Sequence, residues 1–375
     1  WLAASLAGVT VRNDLVGVTS LVRGLGLIER CYDCLLDFFH SPALDLDQLT
    51  ILWKDLVLRC CEPFLIRVNQ RLVLLGDGIK IPKAGLKMPA VKCLYQSGES
   101  NTKPEYINGH SCQAVALLVG RGESHFALPL TSRIHEGLVF SNRSKLTLLD
   151  KMLLLLGSVC IKQPYYFVAD AYYASQGILH GLLADGQHLV TRVRSNAVAY
   201  EAALAPFDPH KRGRKKVYGK KVKLKDLTKD KAAMSEMGSP VYGERNVILR
   251  YRVLDLLWRS AGIKVRFVIV DHPRRGIIFM MTTDLSLSAT DIIKLYGLRF
   301  KIEVSFKQTL HTLGTYAYHF WMASMVRRKK FGADQYLHKT TERYRADVLR
   351  KMGAYHRHIQ IGLIAQGLAQ YLSLS

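Results

Sequence analysis

The sequence predicts an α/β fold: a mixed sheet flanked by helices, with a β-rich insertion before the last core helix and helical terminal segments. Short runs of β-branched and aromatic residues are interspersed with stretches whose apolar residues recur every three or four positions. Three strands come first, and helices and strands then alternate, which favours helices on the faces of a mixed sheet. The 49% hydrophobic content of the 375 residues is enough for a sizeable core.

The N-terminal segment, residues 1–69, is predicted to be helical. Two stretches, "LVRGLGLIERCYDCLLDFF" and "LDLDQLTILWKDLVLRCCEPFLIRV", carry apolar residues at helical spacing. Ser41-Pro42 separates them, and Asp45 and Asp47 are candidate caps of the second helix. Because the chain begins with Trp1 instead of Met, we expect this segment to be truncated or processed.

Residues 70–196 are predicted to form the first part of the core. Its strands are "RLVLLGDGIKI", "HSCQAVALLVG", "SHFALPL", "PYYFVAD" and "HLVTRVR". The helix "SKLTLLDKMLLLLGSV" follows the third strand, and "AYYASQGILHGLLADG", closed by Gly186, follows the fourth.

A basic, β-rich insertion is predicted over residues 197–284, with strands "VILRYRVLDLLW", "IKVRFVIVD" and "GIIFMMTTD". Within it, residues 211–229 hold ten Lys or Arg and a single acid, Asp226. This stretch is either a solvated loop or an arm that lies along the phosphates of a nucleic-acid backbone. The charge of the whole chain favours the arm.

The last core helix is predicted within residues 285–325, beginning after Ser288 or Thr290 and ending at Gly314. Residues 326–375 are predicted to be a helical C-terminal tail.

The balance of charge indicates the class of partner. Lysine and arginine number 53 against 30 acidic residues, a formal net charge of +23. Such an excess favours a polyanion, because a positive surface attracts phosphate and releases condensed counterions. The longest apolar runs, "MLLLLGSVC" and "GIIFMM", are too short to span a membrane, and no signal-peptide pattern is present. We therefore expect a cytoplasmic protein without a membrane partner.

Two other kinds of site are not favoured. "CYDC" and "RCCEP" lack a second CxxC at zinc-finger spacing, so the seven cysteines are predicted to be reduced thiols. "ESHFA" and "GHSCQ" lack the strand-to-helix turn of a serine nucleophile. We expect His110, His272 and His319 to satisfy local hydrogen bonds.

Three acidic residues occupy positions that suit metal chemistry, and each has an alternative role. Asp77 lies within an apolar strand, where a charge needs a partner or a metal, unless it faces an edge beside a glycine turn. Asp170 ends "YYFVAD", at a position that lines the crevice of α/β sheets or caps the next helix. Glu303 lies on the last core helix, as a ligand or in ion pairs with Arg299 and Lys307.

An α-helix turns by about 100° per residue. On that helix, Tyr296, Arg299, Glu303 and Lys307 therefore lie on one stripe about 80° wide, next to the apolar face. Three acids on two strands and a helix, in a strongly basic chain, suit divalent metal held against phosphate. Two such ions about 3.5–4 Å apart can activate an attacking hydroxyl and stabilise the leaving oxygen of a phosphodiester. The pattern therefore favours metal-dependent phosphodiester chemistry.

At "LLGDGIKIPKAGLKMP", "FVADAYYAS" and "LYGLRFKIEVSFK" the sequence resembles the DDE transposases of bacterial insertion sequences, which have a ribonuclease-H-like core. The last motif resembles the Tyr-Arg-Glu signature of their cut-and-paste branch, matched by Tyr296, Arg299 and Glu303. The motifs occur in the family's order, with 93 residues from Asp77 to Asp170 and 133 from Asp170 to Glu303.

The resemblance implies that Asp77, Asp170 and Glu303 form a catalytic triad that binds two Mg²⁺ or Mn²⁺ ions, within a catalytic core made of residues 70–196 and 285–325. Tyr296 and Arg299 would contact DNA near the cleaved phosphate. The lysine of the signature lies where this chain has Leu310, so we expect Lys307 to take its place. Further DNA contacts are expected from the basic residues Lys83, Lys87, Arg192, Arg194, Arg214, Lys215 and Lys216.

Transposases of this family cut double-stranded DNA at terminal inverted repeats and join the freed 3′-hydroxyl to target DNA, as homodimers or larger synaptic complexes. The resemblance thus implies a Mg²⁺-dependent DNA transposase associated with a bacterial nucleoid. Two alternatives remain open: a two-metal nuclease that does not join ends, and a basic DNA-binding relic without catalysis.

Overall fold

The computed structural model describes residues 1–15, 17–96, 104–203 and 216–375. The chain divides into two compact units. Unit 1 comprises Trp1–Leu65, Gly76–Lys162 and Lys301–Ser375, and unit 2 comprises Ile66–Leu75 and Gln163–Phe300. Within the described ranges, no helix is both long enough and apolar enough to cross a membrane.

The helices follow the predicted order and caps. In chain order they are α1 (Leu2–Val11), α2 (Gly17–Gly24), α3 (Cys31–His40), α4 (Leu46–Cys60), α5 (Leu148–Val159), α6 (Gln176–Ala184), α7 (Ala289–Leu298), α8 (Lys301–His311) and α9 (Glu342–Leu374). Asp45 caps α4 by accepting hydrogen bonds from two backbone N–H groups, and Ser288 caps α7 by accepting one from the N–H of Asp291.

The strands also follow the predicted succession. In chain order they are β1 (Arg67–Val68), β2 (Arg71–Pro82), β3 (Lys92–Tyr95), β4 (Tyr106–Arg121), β5 (Ser124–Ile134), β6 (Leu138–Val139), β7 (Tyr165–Ala169), β8 (His188–Arg192), β9 (Val198–Ala202), β10 (Tyr218–Lys223), β11 (Ser235–Gly238), β12 (Ile248–Trp258), β13 (Ile263–His272), β14 (Gly276–Thr282) and β15 (Gln335–Tyr336). The order β2, β4, β5, α5, β7, α6, β8 is the predicted series of three strands followed by alternating helices and strands.

Unit 2 is built on a mixed sheet. The first part of β2 pairs in parallel with β7, which pairs in parallel with β8. An antiparallel meander of β14, β13 and β12 continues the sheet, β9 and β10 lie at its far edge, and β11 pairs with β12. All five residues of β7 are buried, as expected for a parallel strand covered on both faces. Helices α6 and α7 pack against β8.

Unit 1 combines a long hairpin with most of the helices. Strands β4 and β5 form the hairpin, and β3 pairs with β4. Helix α9 packs on β5, α1 and α3, and residues 358–367 within it are buried on every side. Its Tyr355 stacks on Tyr318 with ring centroids 4.6 Å apart, inside the hydrophobic core of this unit.

The predicted fold class is confirmed. A large mixed sheet is flanked by helices, the β-rich segment β9–β14 precedes α7, the N-terminal segment is mostly helical, and the C-terminal segment is α-helical from Glu342 onward, after the short strand β15. This is the architecture that the resemblance to a ribonuclease-H-like core implies. One strand is longer than expected, since β2 continues through Gly76-Asp77-Gly78 as far as Pro82. The seven cysteines, all in the described part of the chain, are free thiols.

The last core helix is not continuous, which corrects the prediction of one helix from Ser288 to Gly314. Helix α7 ends at Leu298 and α8 begins at Lys301, with a turn at Arg299 and Phe300 between them. The N–H of Arg299 donates to the carbonyl oxygen of Tyr296, three residues back, so the α-helical ladder stops there. The predicted stripe is therefore divided: Tyr296 and Arg299 belong to unit 2, and Glu303 and Lys307 belong to unit 1.

Candidate functional site

Asp170 directly follows β7, at the point where the chain leaves the sheet of unit 2. Its Oδ1 accepts a hydrogen bond from the N–H of Tyr172 at 3.0 Å and so caps the 3₁₀ turn Ala171–Tyr173. The hydroxyl of Thr191, on β8, donates to the carbonyl oxygen of Asp170 at 2.7 Å. Asp170 is thus both a strand-end acid and a cap, and bonds to two different elements fix its backbone and carboxylate.

Asp77 lies on β2, two residues beyond Leu75. Leu75 is paired in register with Val168 of β7, and Asp170 lies two residues beyond Val168. The two acids therefore occupy equivalent positions along their strands. Asp77 is half-buried, and its Oδ1 accepts a hydrogen bond from the N–H of Gly78 at 2.8 Å.

Glu303 is the third residue of α8, and its side chain is exposed. A carboxylate in the first turn of a helix is favoured by the helix dipole. Ile302 and Ser305 are buried on the other side of α8, and Gln366 of α9 donates to the Ser305 hydroxyl at 2.9 Å. This packing turns Glu303 and Lys307, one turn apart, towards the surface of unit 1.

Tyr296 and Arg299 line a cavity of about 400 Å³ within unit 2, together with Arg192 of β8. The guanidinium carbon of Arg299 lies 5.9 Å from the centre of the Tyr296 ring. Burial raises the pKa of the Tyr296 hydroxyl, the charges of Arg299 and Arg192 oppose this rise, and Asp170 adds to it. Arg299, Arg192 and Asp170 are thus all close enough to Tyr296 to affect the pKa of its hydroxyl, and all four are predicted site residues of unit 2.

An ion-paired network forms another wall of this cavity. Glu244 accepts hydrogen bonds from Nε2 of His272 at 2.9 Å and from Nη2 of Arg275 at 3.0 Å. Nδ1 of His272 accepts from the backbone N–H of Arg274 at 3.1 Å, which assigns the ring proton to Nε2. Burial would raise the pKa of Glu244, but the bonds from His272 and Ser239 hold it below its ordinary value.

No motif in the sequence marks Glu244, because His272 and Arg275, which donate to it, lie about thirty residues further along the chain. The prediction that His110 and His272 satisfy local hydrogen bonds is confirmed. His110 contacts the Tyr318 hydroxyl at 2.8 Å and the carbonyl oxygen of Pro89 at 2.9 Å.

Lys83 lies inside unit 1, which corrects its predicted contact with DNA. Its side chain is 6% exposed, and its Nζ donates to the carbonyl oxygens of Tyr316 and of Tyr318, the latter at 3.0 Å. The ammonium also lies 3.8 Å from the centre of the Tyr318 ring, and burial lowers its pKa to about 7. Lys83 therefore joins the end of β2 to the segment that follows α8 and offers no surface to DNA.

The other predicted cations that the structure describes are exposed. They are Lys87, Arg192, Arg194, Lys216 and Lys307. Arg214 and Lys215 lie outside the described residues. The described part of the basic stretch contains a strand, because Lys220, Lys221 and Lys223 belong to β10 at the end of the sheet order. We refer to Lys216 and these three lysines as the basic edge.

The three acidic residues Asp77, Asp170 and Glu303 are the candidate metal ligands. In the part of the chain that the structure describes, no group of three or more His, Cys, Asp or Glu side chains is arranged as a metal site. Asp77 and Glu303 belong to unit 1, and Asp170 belongs to unit 2. The donor chemistry nevertheless fits a hard divalent cation, because Mg²⁺ prefers carboxylate oxygens and Asp77 and Asp170 each lie two positions beyond the last paired residue of two parallel strands.

The chain is similar to known proteins both in sequence family and among solved structures. A family model described as Transposase DDE domain matches residues 125–315, just over half of the chain, a range that includes Asp170 and Glu303 but not Asp77. Among solved structures, the chain is similar to a piggyBac transposase synaptic complex with hairpin DNA, determined by cryo-EM, with a TM-score of 0.39 and 12% identity. The similarity covers 98% of this chain and 66% of that one, so the chain spans just under two thirds of that protein's length. No curated protein matches the chain.

Proposed function

Because the chain belongs to the transposase DDE domain family, we propose that it is a DNA transposase, which cleaves phosphodiester bonds at the ends of a DNA element and joins the freed 3′-hydroxyl to a target strand. The observation that carries this proposal is the family match over residues 125–315, which includes two of the three acids. The net charge of +23 is consistent with a DNA substrate.

We propose Asp77, Asp170 and Glu303 as the ligands of two divalent cations. The register of β2 with β7 supports the pairing of the two aspartates, because each follows the last paired residue of its strand by two positions. Glu303 is exposed in the first turn of α8 and follows the Tyr296–Arg299 segment by less than two turns. When bound, Mg²⁺ or Mn²⁺ would activate the attacking hydroxyl and stabilise the leaving oxygen.

The chain's own residues would hold the DNA for this reaction. Arg299 and Arg192 line one cavity of unit 2, and both would bind the backbone phosphate at the cleavage point and offset its growing negative charge. Tyr296 would position the same phosphate. The bonds from Tyr172 and Thr191 hold Asp170 in place, so its carboxylate does not need to reorganise during the reaction.

Other cations would bind DNA away from the cleavage point. Arg194, Lys87, Lys307 and the basic edge are exposed and can each contact a backbone phosphate. We further propose that the chain belongs to the cut-and-paste branch with the Tyr-Arg-Glu signature, that it acts as a homodimer on terminal inverted repeats, and that it works at a bacterial nucleoid. The pair Tyr296 and Arg299, in one cavity with Arg192, supports assignment to this branch.

The proposed activity is tested by incubating the full chain with a plasmid that carries its coding sequence and flanking DNA, in Mg²⁺ or in EDTA. We expect nicked, hairpin-ended and joined products in Mg²⁺ alone. Asp77→Asn is expected to end cleavage while DNA binding stays equal or becomes tighter, because one negative charge near the phosphate is removed.

Three results would change this account. Undiminished cleavage by Asp77→Asn would remove Asp77 from the proposed ligands. Cleavage without joined products would identify a nuclease, and wild-type protein that binds plasmid but leaves it intact would identify a DNA-binding relic.

The basic edge is expected to contribute to the salt dependence of DNA binding. Lys221 and Lys223, two positions apart, lie on the same face of β10. Each phosphate contact contributes about 0.9 to the slope of log K against log salt. The double variant Lys221→Gln/Lys223→Gln should therefore lower the slope by up to about 2. Fluorescence anisotropy with a duplex at several salt concentrations measures this slope.

The matched control replaces Lys145 and Lys162, two exposed lysines of unit 1, by Gln. We expect the control to keep the wild-type slope. If the β10 variant also keeps it, the basic edge is only solvated and does not contact DNA.

A further inference from the structure

Next to Asp170, unit 2 contains a groove of about 680 Å³, which has Arg194 among its lining residues. It begins at Ala171, directly after the aspartate, and its other walls are the turn after β8 and the end of β12. A groove of this size can accommodate a nucleotide. The groove therefore lies next to the residue at which the DNA phosphate is proposed to be cleaved, and the same DNA strand could enter it.

The lining of the groove is cationic and aromatic. Arg194 and Arg259 are exposed at its rim, and none of the described residues that line it is acidic. Tyr172, Tyr200 and Trp258 supply aromatic rings. Ala171, Ala174 and Ala197 keep its floor free of bulky side chains. Arginine and aromatic rings are the side chains that bind the phosphates and the bases of nucleic acid strands.

Packing contacts hold the aromatic residues in place. Tyr172 is 52% exposed, and its ring meets the buried ring of Tyr173 edge to face at 5.4 Å. Trp258 begins a tight turn in which the N–H of Gly262, with φ of +70°, donates to the Trp258 carbonyl oxygen at 2.8 Å. His180 of α6 bonds the Ala261 carbonyl oxygen of that turn at 2.7 Å.

The cationic rim is held in the same way. Tyr218 of β10 packs against Tyr200 at 5.4 Å and lies 5.9 Å from the guanidinium carbon of Arg259. On the opposite side, the N–H of Ala197 donates to the carbonyl oxygen of Arg194 at 3.0 Å and closes the turn that carries this arginine. The groove is therefore formed before any ligand arrives, which lowers the entropy that binding must overcome.

We propose that this groove binds a nucleotide of an unpaired DNA strand leading away from the phosphate at Asp170, with Arg194 and Arg259 on its backbone and Trp258 or Tyr172 stacked on its base. This inference rests on the proposed function, and it adds that the DNA bound next to Asp170 is single-stranded. A base inside a duplex has both faces covered by its neighbours, whereas a base of an unpaired strand can turn a face to these rings.

The test compares two DNA probes in EDTA, where no cleavage occurs: a blunt duplex and the same duplex with a 3′ overhang. Fluorescence anisotropy with the full chain gives both dissociation constants. We expect Trp258→Ala and Arg259→Gln each to weaken binding of the overhang probe about tenfold, and binding of the blunt probe less than twofold. Trp258→Phe should restore most of the affinity, because it keeps a ring that can stack.

Matched controls are Trp321→Ala, which removes a tryptophan 66% exposed on unit 1, and Arg143→Gln, which removes an exposed arginine of unit 1. Both should leave the ratio of the two dissociation constants unchanged. The groove assignment would be overturned if the variants lost affinity equally for both probes. It would also be overturned if neither Trp258→Ala nor Arg259→Gln lost affinity for the overhang probe.

Because binding is measured without metal, the two proposals fail separately. A selective loss of overhang binding in a chain that never cleaves DNA would support the groove and reject the transposase chemistry. Normal cleavage with unchanged overhang binding in both variants would reject the groove alone.

Discussion

Asp170→Asn is expected to lower Mg²⁺-dependent DNA cleavage by about 10³-fold while DNA binding is retained. A ligated cation supplies several kcal/mol of transition-state stabilisation, and each 1.36 kcal/mol corresponds to a tenfold change in rate. The substitution keeps the shape of the side chain and the hydrogen bond that the Oδ1 position accepts from Tyr172, so local structure should persist. The measurement is the single-turnover cleavage rate, with anisotropy as the binding readout.

The matched control is Asp271→Asn. Asp271 also lies near the end of an apolar strand of unit 2, β13, and its register partners Arg250 and Ile277 are not proposed site residues. We expect wild-type cleavage from this control. The double variant Asp77→Asn/Asp170→Asn should cleave no more slowly than either single variant, because residues that act as one unit are not additive. Additive losses would indicate that the two aspartates act independently.

Gly109→Ala is expected to lower the free energy of unfolding by about 3 kcal/mol. A Cβ at Gly109 of β4 would lie 2.1 Å from the carbonyl oxygen of Ile81 and 3.2 Å from the Cα of Pro82. Both contacts are with the backbone of β2, so only a shift of the strand that carries Asp77 can relieve them. Urea denaturation measures the loss of stability, and DNA cleavage should fall as well.

Gly157→Ala is the control for this substitution. Nothing lies within 4 Å of a Cβ at Gly157, which is on α5, and Ala is the better helix former by about 1 kcal/mol. This variant should therefore be as stable as the wild type or slightly more stable. Equal midpoints for Gly109→Ala and Gly157→Ala would contradict the close approach of β4 to β2.

Patterns local in sequence predicted the fold class well. The buried strand β7 and the caps Asp45 and Ser288 were all marked by neighbouring residues, since alternation and capping act over a few positions. The helix break at Arg299 was not marked in this way. Gly297, two residues earlier, lies against Val241 from a distant loop, with 3.3 Å from its would-be Cβ to Val241 Cγ1. Such a contact depends on the tertiary fold and not on helical periodicity.

The candidate site could be predicted only in part for the same reason. Asp170, Tyr296 and Arg299 carry recognisable motifs, and the structure brings them into one environment with Arg192. Lys83 lies in a motif too, but its ammonium is bound by carbonyl oxygens more than 230 positions away, which no local pattern reveals. Trp258 and Arg259 were missed because they lie at the end of a strand in the insertion, where no motif marks them. They line a groove only because turns that are distant in sequence face them.

We propose separate tasks for two sites of unit 2. The Tyr296 cavity would hold the phosphate to be cut, and the groove beyond Ala171 would hold the strand that leads away from it. Asp170 lies next to the groove and is electrostatically coupled to the cavity residue Tyr296. This arrangement would let one carboxylate serve the reaction while cations on both sides fix the DNA.

Hydroxyl-radical mapping tests whether Asp77, Asp170 and Glu303 bind the same cations. Fe²⁺ replaces Mg²⁺ at carboxylate sites, and with ascorbate and peroxide it cuts the polypeptide close to the bound ion. We predict three sets of cuts, near residues 77, 170 and 303, which excess Mg²⁺ suppresses and Asp170→Asn abolishes together. Cuts near only one of these segments, or three sets that persist in Asp170→Asn, would contradict the shared site.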